Sequence, residues 1–204
     1  MSRFLVGLTV LLTVSMVLAS PAMSQERQRG RRSQAVPGKE PPHPPKVGEE
    51  VPDFELNNLK EHVVSLKKLT ESGPVVVLVL RGWPGYQCPI CSRQVGEFLT
   101  KKDEIQKAGA SVVMIYPGPA DLLAEHATEF QGTRDFPDNF HYVTDPDYKF
   151  TNAWGLRWEA PRETAYPSTF VIGKDRKVKF GMTSTSHGGR ASANDVLEEL
   201  AKLK

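Results

Sequence analysis

The sequence predicts an α/β fold, a mixed central sheet flanked by helices. Three observations carry this. Val75 to Leu80 (VVVLVL) is a continuous apolar run, the pattern of a strand buried on both faces, and Ala110 to Tyr116 (ASVVMIY) reads as a second buried strand. Each run is followed by a stretch with apolar residues at helical spacing: Val95, Phe98, Leu99 and Ile105 after the first, Leu122, Leu123, Ala127 and Phe130 after the second. Near the end, Ser168 to Ile172 and Lys177 to Met182 read as two strands that pair through a Lys174-Asp175 turn. Strand–helix alternation followed by a strand pair and a helix builds a mixed sheet with helices on its faces.

The chain divides into three parts. Residues 1–24 read as a secretory signal peptide: Arg3 gives the positive start, Phe4 to Ala19 the apolar stretch, and Ala19, Ser20, Ala22 and Ser24 the small residues of a cleavage site. The apolar run falls short of the roughly 18 residues of a spanning helix, so no stable membrane anchor is expected. The protein is then exported, to the periplasm or the extracellular space. Residues 25–46 hold four arginines and five prolines with few packable side chains, and read as a disordered linker. Residues 47–204 form the folded domain, long enough for one core. A formal net charge of +2 gives no case for a nucleic-acid partner.

Along the domain, Val51 to Leu56 and His62 to Leu66 read as a strand pair around Asn57-Asn58. Ser92 to Lys107 is expected as one helix. Pro117 is expected to end the Ala110 strand, and Pro119 to open a helix in which His126 faces the core. His141 to Thr144 is a short strand. Asp145-Pro146 is expected to cap a helix that stops at Gly155, and Ser192 with Asp195 to cap the last helix.

The stretch of chemical interest joins the first buried strand to the first main helix: Arg81-Gly82-Trp83-Pro84-Gly85-Tyr86-Gln87-Cys88-Pro89-Ile90-Cys91. Cys88 and Cys91 are the only two cysteines. The spacing places a dithiol at a helix N-terminus, where unpaired N–H groups and the helix dipole favour a thiolate. Pro89 fits the first turn, where its missing N–H costs nothing. A structural disulfide competes with this reading, but so small a loop constrains the unfolded chain little. Half of a zinc site also competes, but no second Cys pair or His pair exists to complete four ligands. The dithiol is expected to be catalytic, with Cys88 the more exposed, attacking sulfur and Cys91 the resolving one. Trp83, Tyr86 and Tyr166 are expected on the rim of its pocket. No metal ligands and no cofactor are assigned.

Cys88-Pro89-Ile90-Cys91 at the first main helix, with Tyr166-Pro167-Ser168-Thr169-Phe170-Val171-Ile172 before the strand pair, resembles the thioredoxin-like fold. Val47 to Phe54 (VGEEVPDF), Val79-Leu80-Arg81-Gly82 and Asp145-Pro146-Asp147 are similar to the redoxins of the AhpC/TSA, peroxiredoxin-like group. The resemblance implies a cis proline at Pro167 beside the dithiol, and a substrate-binding role for Pro167, Tyr166 and Trp83. Two positions depart from the peroxiredoxin pattern. That pattern, Pro-x-x-x-Thr/Ser-x-x-Cys, maps onto Pro84 and Cys91, but with Cys88 where Thr or Ser belongs. It also implies an arginine just before the Ser168-Thr169-Phe170 run, where this chain has Pro167. Arg81, Arg162 and Arg190 are the candidates to replace that charge.

These departures favour a thiol–disulfide oxidoreductase acting on a protein or small-molecule thiol or disulfide. The alternative is a two-cysteine, peroxiredoxin-like thiol peroxidase that reduces hydroperoxides, with Cys91 as the attacking sulfur. A third expectation is a non-catalytic copper- or thiol-binding module, with His187 or His141 beside the cysteines.

Overall fold

A computed structural model describes residues 43–203. The expected signal peptide and nearly all of the expected linker lie outside the described residues. The elements run in the order β1 (Glu55–Asn57), β2 (Val63–Ser65), α1 (Leu66–Ser72), β3 (Val75–Val79), α2 (Pro89–Thr100), α3 (Lys102–Lys107), β4 (Ser111–Gly118), α4 (Leu123–Gln131), β5 (Phe140–Pro146), α5 (Lys149–Ala153), β6 (Ser168–Ile172), β7 (Val178–Thr183) and α6 (Ala193–Ala201).

The main sheet has the order β5-β4-β3-β6-β7. β3 pairs with β4, and β4 with β5, in parallel; β6 joins β3 and β7 antiparallel. The sheet is mixed, as expected. All five residues of β3 are buried, because both faces are covered. Val76 and Leu78 point to one layer, with Cys91, Val95 and Phe98 of α2, Leu123, Ala127 and Phe130 of α4, and Val196 and Leu200 of α6. Val75, Val77 and Val79 point to the other, with Leu66 of α1, Phe150 of α5, and Phe54 and Trp154. The period of two along β3 thus divides the core between two helical layers. Among the described residues, no helix is long and apolar enough to cross a membrane.

Several expected boundaries move. A short helix, α1, follows β2, capped by the Ser65 hydroxyl, which accepts the Lys68 N–H. The expected Ser92–Lys107 helix begins at Pro89 and breaks at Lys101 into α2 and α3. Pro117 stays within β4, and α4 starts at Leu123 rather than at Pro119. Pro146 ends β5 instead of opening a helix. Asp145 still caps α5 from a distance. Its carboxylate accepts the N–H groups of Phe150 at 2.8 Å and Thr151 at 2.9 Å. Ser192 and Asp195 form the expected reciprocal capping box on α6.

The Tyr166–Pro167 bond departs from expectation. No peptide bond among the described residues is cis. Pro167 is buried and leads directly into β6, its carbonyl accepting the Ser184 N–H at 2.9 Å. The trans form is the ordinary state of an X–Pro bond, and this connection needs no tighter bend.

The chain enters the domain earlier than Val47. The His43 carbonyl lies so close to Gly155 that a Cβ there would sit 2.4 Å from the oxygen. Lys46 N–H donates to Glu49, and Gly48 N–H to Val178. The last four residues assigned to the linker therefore run along the domain.

Candidate active site

The dithiol sits at the end of the sheet where β3 hands over to α2. Leu80 N–H still donates to Ile115 of β4, so the strand geometry holds to that point. The loop then crosses the end of β4 at Gly82. Gly82 has φ +68°, and a Cβ there would lie 1.9 Å from the Pro117 carbonyl oxygen, so glycine is required for the crossing. Trp83 then stacks on His126 of α4, with centroids 4.1 Å apart and planes 10° apart. Gln87 ties the loop to the same wall: its amide donates to the His126 carbonyl at 2.8 Å, and its oxygen accepts from the Tyr116 hydroxyl at 3.0 Å.

Cys88 is the N-cap of α2 and Pro89 its first residue. The Cys88 sulfur accepts the Cys91 N–H at 3.2 Å, a bond that side-chain oxygens make at ordinary caps. Arg190 Nη2 donates to the same sulfur at 3.8 Å. The Cys91 sulfur accepts the Arg81 N–H at 3.4 Å. The two cysteines are not joined by a disulfide.

The two sulfurs have opposite acidities. Cys88 is lowered to about 5. The leading cause is hydrogen bonding from the Cys91 side chain. The Cys91 amide and the charges of Arg190 and Arg81 add to it, and together they outweigh burial. Cys91 is raised well above the usual cysteine range, first by burial and then by its bond to Cys88. The expected contrast in exposure is small, since Cys88 is 2% exposed and Cys91 fully buried. Acidity, more than exposure, separates the two.

Two arginines flank the pair, and their surroundings differ. Arg81 is buried, and its guanidinium pairs with Glu163 at 2.8 Å, contacts the Tyr86 hydroxyl and donates to the Arg162 carbonyl. Glu163 also holds His187 at 2.9 Å. Arg190 donates to the His187 carbonyl at 3.2 Å and to Gln94 Oε1 at 3.1 Å. Gln94 is anchored in turn by donating to Thr169 Oγ1 of β6 and to the Ala191 carbonyl. Of the three arginines weighed from the sequence, Arg190 contacts Cys88, Arg81 contacts Cys91 through its backbone, and Arg162 contributes a carbonyl to Arg81.

The structure divides the expected rim. Trp83 is half-buried and Tyr86 is exposed. Tyr166 is 2% exposed and stacks on Trp158 at 4.6 Å, so it forms no part of an open rim. Pro167 is buried at the head of β6; Val79 of β3 pairs with Ser168, which brings that strand end beside the Arg81 turn. His187 is engaged by Glu163, and His141 is on β5. Among the described residues, no group of three or more His, Cys, Asp or Glu is arranged to hold a metal ion. Sequence reasoning missed Gln94, Gln87 and Glu163. Gln94 left one signal: a polar residue one turn from Cys91 on the apolar stripe of α2.

The chain is 29% identical over 133 residues to the chloroplastic peroxiredoxin Q of Oryza sativa subsp. japonica, covering 65% of this chain and 57% of that one. It thus spans little more than half the length of the curated relatives it matches. Peroxidoxin BcpB from Mycobacterium tuberculosis superposes with a TM-score of 0.61 at 26% identity, over 78% of this chain and 99% of that one. Mycobacterium tuberculosis AhpC shares the fold at 14% identity, with a TM-score of 0.59 over 78% of this chain and 93% of that one. The AhpC/TSA family model matches residues 47–180, which contain both cysteines and the strands around them, and the chain belongs to that family.

Proposed function

We propose that the protein is a two-cysteine thiol peroxidase in which Cys88 attacks the hydroperoxide and Cys91 resolves the product. Family membership supports the reaction class. One observation carries the assignment of roles: the Cys88 sulfur caps α2, accepting the Cys91 N–H at 3.2 Å. A sulfur held in that way is a thiolate at neutral pH, and the thiolate is the nucleophile. This replaces disulfide exchange as the leading reading. It also moves the attacking sulfur from Cys91, where the family pattern maps it, to Cys88.

The chemistry follows from the two acidities. The Cys88 thiolate attacks the terminal oxygen of the hydroperoxide, and the O–O bond breaks. The leaving oxygen departs with the bonding pair and takes a proton, forming water or an alcohol. Cys88 now carries a sulfenic acid. Cys91 attacks that sulfur, a disulfide forms, and the sulfenic oxygen leaves as water. An external dithiol then supplies two electrons and two protons and is itself oxidised. Oxidation of Cys88 removes the neighbouring negative charge and hydrogen bond that hold Cys91 protonated, so the first step activates the second. Trp83 and Tyr86 are the aromatic groups available to a substrate, whereas Tyr166 and Pro167 are buried. Export, which rests on the sequence of residues 1–24, belongs to the same proposal. An intact N-terminus on protein recovered from the producing cell would argue against it.

A second reading, thiol–disulfide exchange, is favoured by the Cys-Pro-Ile-Cys spacing, which puts nucleophile and resolver in one turn. The test runs both reactions on the same protein. Hydrogen peroxide consumption with dithiothreitol is measured beside reduction of insulin disulfides. The peroxidase reading expects fast peroxide turnover, abolished by Cys88→Ser, and dimedone labelling of Cys88 in Cys91→Ser. Insulin reduction without peroxide turnover would replace it with exchange. Labelling of Cys91 in Cys88→Ser would reverse the roles.

A further inference from the structure

We propose that Arg190 is a catalytic residue, brought to the Cys88 sulfur by the loop after β7 and held there by Gln94. The proposal rests on the reading of Cys88 as the nucleophile. Its first support is the way the guanidinium is used. All three nitrogens are engaged: Nη2 on Cys88 Sγ at 3.8 Å, Nη1 on Gln94 Oε1 at 3.1 Å and Nε on the His187 carbonyl at 3.2 Å. A planar fork fixed at two corners aims its third, which a lysine ammonium cannot reproduce.

The second support is charge. Among the described residues, no carboxylate forms an ion pair with Arg190, whereas Arg81 is paired with Glu163 at 2.8 Å. The positive charge of Arg81 is largely answered by its carboxylate. That of Arg190 meets only neutral acceptors and the sulfur. It is therefore the cation free to stabilise a thiolate, and to stay beside the sulfur as charge moves to the leaving oxygen.

The third support is Gln94. It is buried on the α2 face, one turn from Cys91, among Val95 and Phe98. A buried amide is costly unless its groups are satisfied. Both Gln94 donor bonds go to fixed partners, Thr169 Oγ1 at 3.3 Å and the Ala191 carbonyl at 3.2 Å. This turns Oε1 toward Arg190. Gln94 is thus a positioning residue: it touches no reacting atom and acts through the guanidinium.

The test reads the thiolate directly. The rate of iodoacetamide alkylation of Cys88 is followed against pH in Cys91→Ser backgrounds carrying Arg190→Ala, Arg190→Gln, Arg190→Lys or Gln94→Leu. Arg190→Ala and Arg190→Gln should move the midpoint up by about one pH unit, the lower end of the shift an adjacent opposite charge produces. Arg190→Lys should fall between these and the parent. Gln94→Leu should move it in the same direction by less. Guanidinium ion in solution should draw the Arg190→Ala midpoint back toward the parent value, while methylammonium should not. Thermal unfolding of each variant reports folding, and Arg190→Lys carries the test if the others fail to fold. Midpoints that coincide with the parent would overturn the proposal, however fast peroxide is turned over. A shifted midpoint in a protein that consumes no peroxide would uphold Arg190 and sink the peroxidase reading instead.

Discussion

The backbone amide of Arg81 donates to Cys91 Sγ at 3.4 Å while its side chain turns to Glu163 at 2.8 Å. One residue therefore positions the Cys91 sulfur with its main chain and joins the loop at Glu163 to the site with its side chain. Glu163 reaches on to His187, and the His187 carbonyl receives Arg190. The contacts close a ring around the dithiol, from Cys91 through Arg81, Glu163, His187 and Arg190 back to Cys88.

Glu163→Gln opens this ring at its most buried ion pair. It leaves the Arg81 guanidinium buried with weaker partners, the Tyr86 hydroxyl and the Arg162 carbonyl. Breaking a buried pair by removing one partner costs about 3 kcal/mol or more. Urea unfolding should show a loss of that order. A midpoint within error of the parent would mean that water replaces the carboxylate.

The pH profile of the dithiol follows from the acidities. The Cys88 thiolate is favoured in the folded protein, with its midpoint lowered to about 5. Its reactive fraction is then complete near neutrality and falls as pH drops through that value. Alkylation corrected for the intrinsic reagent rate should be flat from about pH 6 to 8 and fall roughly tenfold per unit well below the midpoint. A profile still rising at pH 8 would show an ordinary cysteine.

Much of the fold was legible because its signals are local. β3 is an unbroken apolar run, β4 carries one from Val112 to Tyr116, and the Ser192–Asp195 box lies within four residues. The dithiol was legible for the same reason: two cysteines, a proline and a following helix are adjacent in the chain. Failures arose where distant groups decide. α1 lacks acidic residues in its first turn, and its existence depends on Leu66 packing into the core. Pro117 read as the end of a strand and Pro146 as the opening of a helix, yet both lie in strands, Pro146 at the last residue of the edge strand β5. Glu163 sits 82 residues from Arg81, and Gln94 is 96 from Arg190, so no spacing could reveal either pair.

Gly155 offers a test of where the domain begins. Its φ is +63°, and the His43 carbonyl occupies the space a Cβ would need. Gly155→Ala should cost about 1–2 kcal/mol for the left-handed backbone, plus a further amount for displacing residue 43. In a chain beginning at Val47, only the backbone cost should remain. Equal losses in both chains, by urea unfolding, would show that His43 yields without cost.

The last prediction concerns Cys91. Burial raises its pKa and persists in any variant, but the bond to Cys88 and the charge on Cys88 raise it too. Cys88→Ser removes that charge and leaves the positive charge of Arg190 uncontested beside the remaining sulfur, whose pKa Arg190 already lowers. Cys91 should therefore ionise at lower pH in Cys88→Ser than in the parent. Thiolate absorbance near 240 nm should rise in two separated steps in the parent, one near pH 5 and one well above the usual cysteine range. Cys88→Ser should give a single step between them. This is the change that oxidation of Cys88 to a neutral sulfenic acid would produce during turnover. In the proposed peroxidase cycle, this change would keep Cys91 inert until the peroxide has been reduced and let it attack afterwards. A single step at or above the upper step of the parent would mean that burial alone sets Cys91. Activation of the resolving thiol would then need the α2 N-terminus to open rather than a change of charge on its neighbour.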